Sequence, residues 1–145
     1  MTKEKRTYVE RDVSWMYFNH RILQEAEKEQ VPLLERLSFL GIYSNNLDEF
    51  FRVRVASINR FLDNPHLEKD TKGVLKESLK AINKLNKQYS VEYSNAVASV
   101  RGALESHGIH ILTENEVNDV QRKYLTDFFY NHLNGSVNPI WLSEI

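Results

Sequence analysis

The segment LKESLKAINKLNKQYSVEYSNAVASVRGAL, residues 75–104, decides the fold class. Leu75, Leu79, Ile82, Leu85, Tyr89, Tyr93, Ala96, Val100 and Leu104 recur in it at steps of three and four, with lysine, asparagine, serine and glutamate between them. That is the period of one face of an α-helix, whereas a strand would alternate at every second residue. The spacing predicts a single helix of roughly 45 Å at 1.5 Å per residue. Gly108 stands where a left-handed residue would end it.

Toward the amino terminus, Asp63-Asn64-Pro65-His66 is a stop, because proline cannot continue a helix and restricts the residue before it. Before that stop, Leu33, Leu37, Leu40, Leu47, Phe51, Val55, Ile58 and Leu62 form a second helical stripe. Pro32 suits its first turn, where a missing N–H costs nothing. A first helix is expected over Ser14 to Glu29, capped by Ser14, with Trp15, Phe18, Ile22 and Ala26 on its apolar face. Toward the carboxyl terminus, Thr113-Glu114-Asn115-Glu116 has the form of a capping box for a fourth helix with the stripe Val117, Val120, Tyr124, Phe128 and His132 or Leu133. Gly135 is placed to close it. The tail Val137-Asn138-Pro139-Ile140-Trp141-Leu142 is apolar but too short to fold alone. The expected fold is all-α, an antiparallel up-and-down bundle of about four helices, one very long.

Composition narrows the functional classes. A hydrophobic fraction of 41% and a charged fraction of 27% are ordinary for a soluble globular chain, and no stretch approaches the roughly 20 apolar residues of a membrane span. The charged start, Met1 to Arg6, leads into no apolar run, so a secretory signal is not expected and the cytoplasm is. With no cysteine, disulfides, thiolate metal sites and cysteine nucleophiles are excluded. Nineteen basic against 20 acidic residues give a net charge of -1, which argues against nucleic acid as a partner.

Few residues carry recognisable chemistry. His20, His66, His107, His110 and His132 include no pair at the i, i+4 spacing of helix-borne metal ligands. Glu25, Glu27, Glu29, Asp48 and Glu49 read as a solvated face. No glycine-rich phosphate loop, Walker lysine or nucleophile elbow is present. Arg52, Arg54 and Arg60 read as surface charge or inter-domain salt bridges, because helical positions two apart diverge by about 200°. Trp15 and Phe18 read as core anchors.

The second helix holds one oddity. Phe39, Ile42, Asn46, Phe50 and Val53 fall on a second stripe, largely opposite the first, and an extra apolar face is either buried by another element or used for binding. Asn46 lies at its centre. An amide offers a donor and an acceptor together, the complement of an adenine edge. Equally, Ser44-Asn45-Asn46 could cap a break in the helix, since such side chains compete for backbone hydrogen bonds.

The residues Ser14-Trp15, Phe18-Asn19, Arg21, Leu23-Gln24-Glu25-Ala26, Pro32-Leu33, Glu35-Arg36 and Phe39 through Phe50 resemble the opening of bacterial polyphosphate kinases. The likeness is dense from about Glu10 to Val55 and continues in helix placement toward Pro139-Ile140. It implies an enzyme that reversibly transfers the terminal phosphate of ATP to inorganic polyphosphate through a phosphohistidine, with magnesium. The nucleophile and the metal- and phosphate-binding groups would lie in later domains, so this segment alone would be inactive and would hold no catalytic residue and no metal.

The resemblance further implies an amino-terminal helical domain over residues 1–107 and the beginning of a second, head domain over 108–145. It makes Asn46 the nucleotide contact and gives Phe39, Ile42, Phe50 and Val53 as pocket or docking surface. The implied partners are ATP, polyphosphate, the remaining domains and further copies in a homo-oligomer, with membrane association left open. The alternative reading is a helical protein-interaction or self-association module with no nucleotide role.

Overall fold

The computed structural model of the chain describes residues 9–141; residues 1–8, with the charged start, and 142–145, with the last residue of the apolar tail, lie outside the described residues. All regular structure among the described residues is helical. The chain divides into two compact units, residues 1–109 and 110–145.

In the first unit, α1 (Arg11–Glu27) begins four residues earlier than a Ser14 cap would place it. The Glu10 carboxylate curls back to accept from the backbone N–H groups of Asp12 at 2.8 Å and Val13 at 3.1 Å. Glu10 therefore caps the helix, and its charge sits at the positive end of the helix dipole. The expected apolar face is also displaced. Met16, Asn19 and Leu23 bury, one position on from Trp15, Phe18 and Ile22, together with Asp12 and with Ala26 as expected. Trp15 and Ile22 pack against this core from its edge, while Phe18, expected as an anchor, is 61% exposed.

Pro32 occupies the position just before α2 (Leu33–Phe50) rather than the first turn. The helix then widens through one π turn, Phe51–Val55, and continues without a break as α3 (Ala56–Leu62). The widening is visible in the Ala56 N–H, which reaches back five residues to the Phe51 carbonyl. The π turn places Phe50 and Val55, five residues apart, in the buried set. Of the expected stripe, Leu37 alone is exposed; Leu40, Val55 and Ile58 are buried, and Leu33, Leu47, Phe51 and Leu62 pack against them.

The pairing of α1 with α2 is antiparallel, because partners fall along one helix as they rise along the other. The Arg36 Nε donates to the Ala26 carbonyl at 2.7 Å, Asn19 reaches Tyr43, and Arg54 reaches Asp12. Arg36 is itself buried, and its guanidinium satisfies a last-turn carbonyl of α1 at the negative end of that helix.

Against this pair packs α4 (Lys69–Ser106), 38 residues long. It starts six residues ahead of Leu75, where charged residues hide its beginning from a periodicity reading. Ile82, Tyr89, Ala96, Val100 and Leu104 are buried on the expected face, each large side chain contributing about 1.5–3 kcal/mol. Gly108 ends the helix as expected, at φ 76°. The Ile109 N–H bonds the Leu104 carbonyl and the Gly108 N–H bonds the Glu105 carbonyl, both at 3.0 Å. This crossed pair is the Schellman arrangement, and it needs the left-handed residue.

In the second unit, Thr113 and Glu116 do not open the fourth helix. The Glu116 carboxylate accepts from the Thr113 N–H at 2.7 Å and the Thr113 hydroxyl at 2.9 Å, closing a turn. The helix, α5 (Asp119–Phe128), starts at a second capping box five residues further on. There Asn118 and Gln121 exchange backbone-to-side-chain bonds, both at 2.9 Å. A π turn (Phe129–Leu133) and a short 3-10 turn (Asn134–Ser136) follow. Gly135 lies inside the latter and has no positive φ, so it is not the terminator its position suggested. No helix among the described residues is long and apolar enough to cross a membrane.

Candidate functional site

The first turns of α1 and the end of α2 enclose an open cleft of about 750 Å³. Its floor is aromatic. Trp15 and Phe50 stack face to face, with ring centres 4.1 Å apart and planes within 2°. Phe18 and Val53 form exposed rims, and Asn46, Ser14, Glu49, Arg11, Asp12 and Arg54 supply the polar lining.

The cleft is held in shape by an ion pair. Asp12 is 6% exposed, and Arg54 grips it through Nε at 3.1 Å and Nη2 at 2.8 Å. Such a fork fixes geometry as well as charge, because both guanidinium donors must be satisfied at once. The hydrogen bond to Asp12 raises the pKa of Arg54 above its already high ordinary value, against the opposing effect of burial. Arg11 lies 3.5 Å from the same carboxylate but is mostly exposed, and such a pair adds little.

Asn46 sits well inside α2, so it caps no break in that helix. Its Nδ2 donates to the Asn19 Oδ1 at 3.1 Å, and the Asn19 Nδ2 donates to the Tyr43 carbonyl at 3.2 Å. Asn19 is 1% exposed, on the core face between Met16 and Leu23. A buried amide is stable only with its hydrogen bonds made, and these two bonds meet that need.

The other residues singled out in the sequence are dispersed. Phe50 is buried beneath Trp15, and Val53 and Asn46 line the cleft with it. Phe39 packs at the core's edge and Ile42 is 46% exposed, and neither lines the cleft. Arg52 pairs with Asp48 one turn back, away from Arg54. Sequence reading missed Asp12 and Asn19. Asp12 carried no local signal of a partner 42 residues away, whereas an asparagine in register with Met16, Leu23 and Ala26 was a legible anomaly.

A second polar cluster joins α1 to α4. His20 stacks on Tyr89 at 3.8 Å and its Nε2 lies 2.5 Å from the Glu92 carboxylate, whose other oxygen accepts from Gln88. The bonds from Gln88 and then His20 hold the Glu92 carboxyl below its ordinary pKa against the opposing effect of burial. Nearby Tyr43 has a buried hydroxyl with no protein partner among the described residues. Burial, with the Glu92 charge adding to it, pushes this phenol up to about 12.

These features define an all-α module with an aromatic and amide-lined cleft. Among the described residues no three His, Asp or Glu side chains converge as a metal site. Residues 8–112 match the polyphosphate kinase N-terminal domain, and the chain belongs to that family. It is 35% identical over 148 residues to a polyphosphate kinase of Vibrio parahaemolyticus, covering 99% of this chain and 20% of that protein. It is 36% identical over 135 residues to one of Lactiplantibacillus plantarum, covering 92% and 19%. For one of Bacillus anthracis the identity is 37% over 136 residues, covering 92% and 19%. The chain thus spans about a fifth of the length of the curated relatives it matches. No solved structure matches it.

Proposed function

We propose that residues 1–107 are the nucleotide-base domain of a polyphosphate kinase, which reversibly transfers the terminal phosphate of ATP to polyphosphate, and that residues 108–145 begin its next domain. The observation that carries the reading is Asn46, an amide with one hydrogen engaged by Asn19, on the wall of a cleft floored by aromatic rings. A flat heterocycle can lie in such a cleft while its edge meets the amide. Neither magnesium nor the transferred phosphate is assigned to this chain. The buried carboxylate of the cleft is already committed to Arg54, and the family resemblance assigns the metal-binding groups to later domains. With the phosphate-holding groups assigned by the family resemblance to later domains, the chain alone binds ATP weakly and transfers no phosphate.

The test is Asn46→Ala in the full-length enzyme. The Michaelis constant for ATP rises about tenfold, as expected for loss of one ligand-facing amide, with the melting temperature nearly retained. An unchanged constant sinks the reading and leaves Asn46 a partner of Asn19 only. The alternative, a self-association surface, rests on exposed Ile42 and Val53, since Phe50 is buried between them. Ile42→Glu decides for it if oligomers dissociate while ATP use is untouched.

A further inference from the structure

We infer that Asn19, a residue that touches no ligand, sets the direction in which Asn46 presents its amide and so selects which nucleobases the cleft accepts. The inference rests on the reading of Asn46 as a base contact. One group here has an unambiguous hydrogen-bonding sense. The Tyr43 carbonyl can only accept, so the Asn19 atom 3.2 Å from it must be the nitrogen. The Asn19 oxygen then lies on its other side, toward Asn46. Facing an oxygen, Asn46 must in turn offer its own nitrogen, at 3.1 Å. An isolated asparagine can flip its amide at little cost, but this one cannot without setting two oxygens against each other in a half-buried place.

The consequence is directional. With one N–H held by Asn19, Asn46 keeps its oxygen and its other N–H for the cleft, the oxygen on a fixed side. An acceptor there favours a base that brings an exocyclic amine, as adenine does, and opposes one that brings a carbonyl oxygen to the same place, as hypoxanthine does. Asn19 is therefore a positioning residue. Its burial at 1% means that it contributes through Asn46 and not by its own contact.

The experiment compares kcat/KM for ATP and inosine triphosphate in the full-length enzyme, with and without changes at position 19. Asn19→Leu keeps the branched shape, though with more bulk, and removes the fixed oxygen, so Asn46 can turn and meet either base. The preference for ATP falls at least about fivefold, the low end of what one bidentate base contact discriminates. Asn19→Ala removes the same oxygen without adding bulk and carries the test should leucine not pack. Asn19→Asp separates positioning from folding. In either protonation state it still offers an oxygen to Asn46, so the preference persists although the melting temperature drops. A folded Asn19→Leu or Asn19→Ala enzyme with unchanged preference overturns the inference, as does a lost preference in Asn19→Asp. If Asn46→Ala itself leaves ATP kinetics unchanged, the functional reading fails first and the two failures are told apart.

Discussion

The two units of this chain use similar helices to different ends. In residues 9–109, α1, α2, α3 and α4 bury one another's apolar faces, with Leu23, Ala26, Ile82 and Val100 fully inside. In residues 110–141 a well-capped helix carries Val120, Tyr124, Phe128 and Leu133 on one face, and none of them is buried. Tyr124 and Phe128 stack along that face and His132 meets Phe128 at a tilt, so the stripe is formed although its residues stay exposed. Capping boxes and i, i+4 contacts are local and suffice to write a helix. A core requires a partner face brought in from elsewhere in the sequence, and tertiary packing supplies most helical stability in proteins.

Substitutions measure the contrast. Ile82→Ala should lower the unfolding free energy of the first unit by about 2–5 kcal/mol, because a fully enclosed side chain leaves a cavity. Tyr124→Ala should change the same transition by less than about 0.5 kcal/mol. Urea unfolding followed by tryptophan fluorescence reports the pair, and equal losses would remove the contrast between the two helices. Asp12→Ala is the next largest. It strips a buried acceptor from the half-exposed Arg54, for about 1–2 kcal/mol, and should loosen the cleft more than the bundle.

The smallest effect is the pH dependence from Glu92. Its carboxyl titrates lower in the folded than in the unfolded chain, so its contribution is present above the ordinary value of 4.5 and is lost as pH falls below it. In Glu92→Gln the first unit should lose less stability between neutral pH and pH about 3 than the unsubstituted chain does. An identical acid slope would show that the links to Gln88 and His20 do not matter to folding.

Much of the fold was legible because it is written in repeated local spacings. The stripe from Leu75 to Leu104 and the glycine at 108 required only period and backbone conformation. Helix beginnings were less legible, since several acceptors compete. Glu10, two residues before Asp12, outcompeted Ser14, and Asn118 with Gln121 outcompeted Thr113 with Glu116. The face of α1 was misjudged by one position because Trp15 and Phe18 are larger than Met16 and Leu23, yet the smaller residues are the ones enclosed. At the cleft, Asn46 stood out from an unusual stripe. Its dependence on Asn19 and the clamp between Asp12 and Arg54 join residues 27 and 42 positions apart, which no local pattern expresses.

The π turn at Phe51–Val55 acts as a phase adjuster. It carries about one residue more than a plain α-helical turn, so the faces before and after it are set separately. Before it Tyr43 meets Tyr93 of α4 and Phe50 meets Trp15 of α1, within it Arg54 meets Asp12 of α1, and after it Ile58 returns to the shared core. Deleting a single residue there would leave an unbroken helix of good propensity and yet rotate one end by about 100° against the other. The cleft and the bundle would then compete for the same stretch of chain, and only one could keep its alignment.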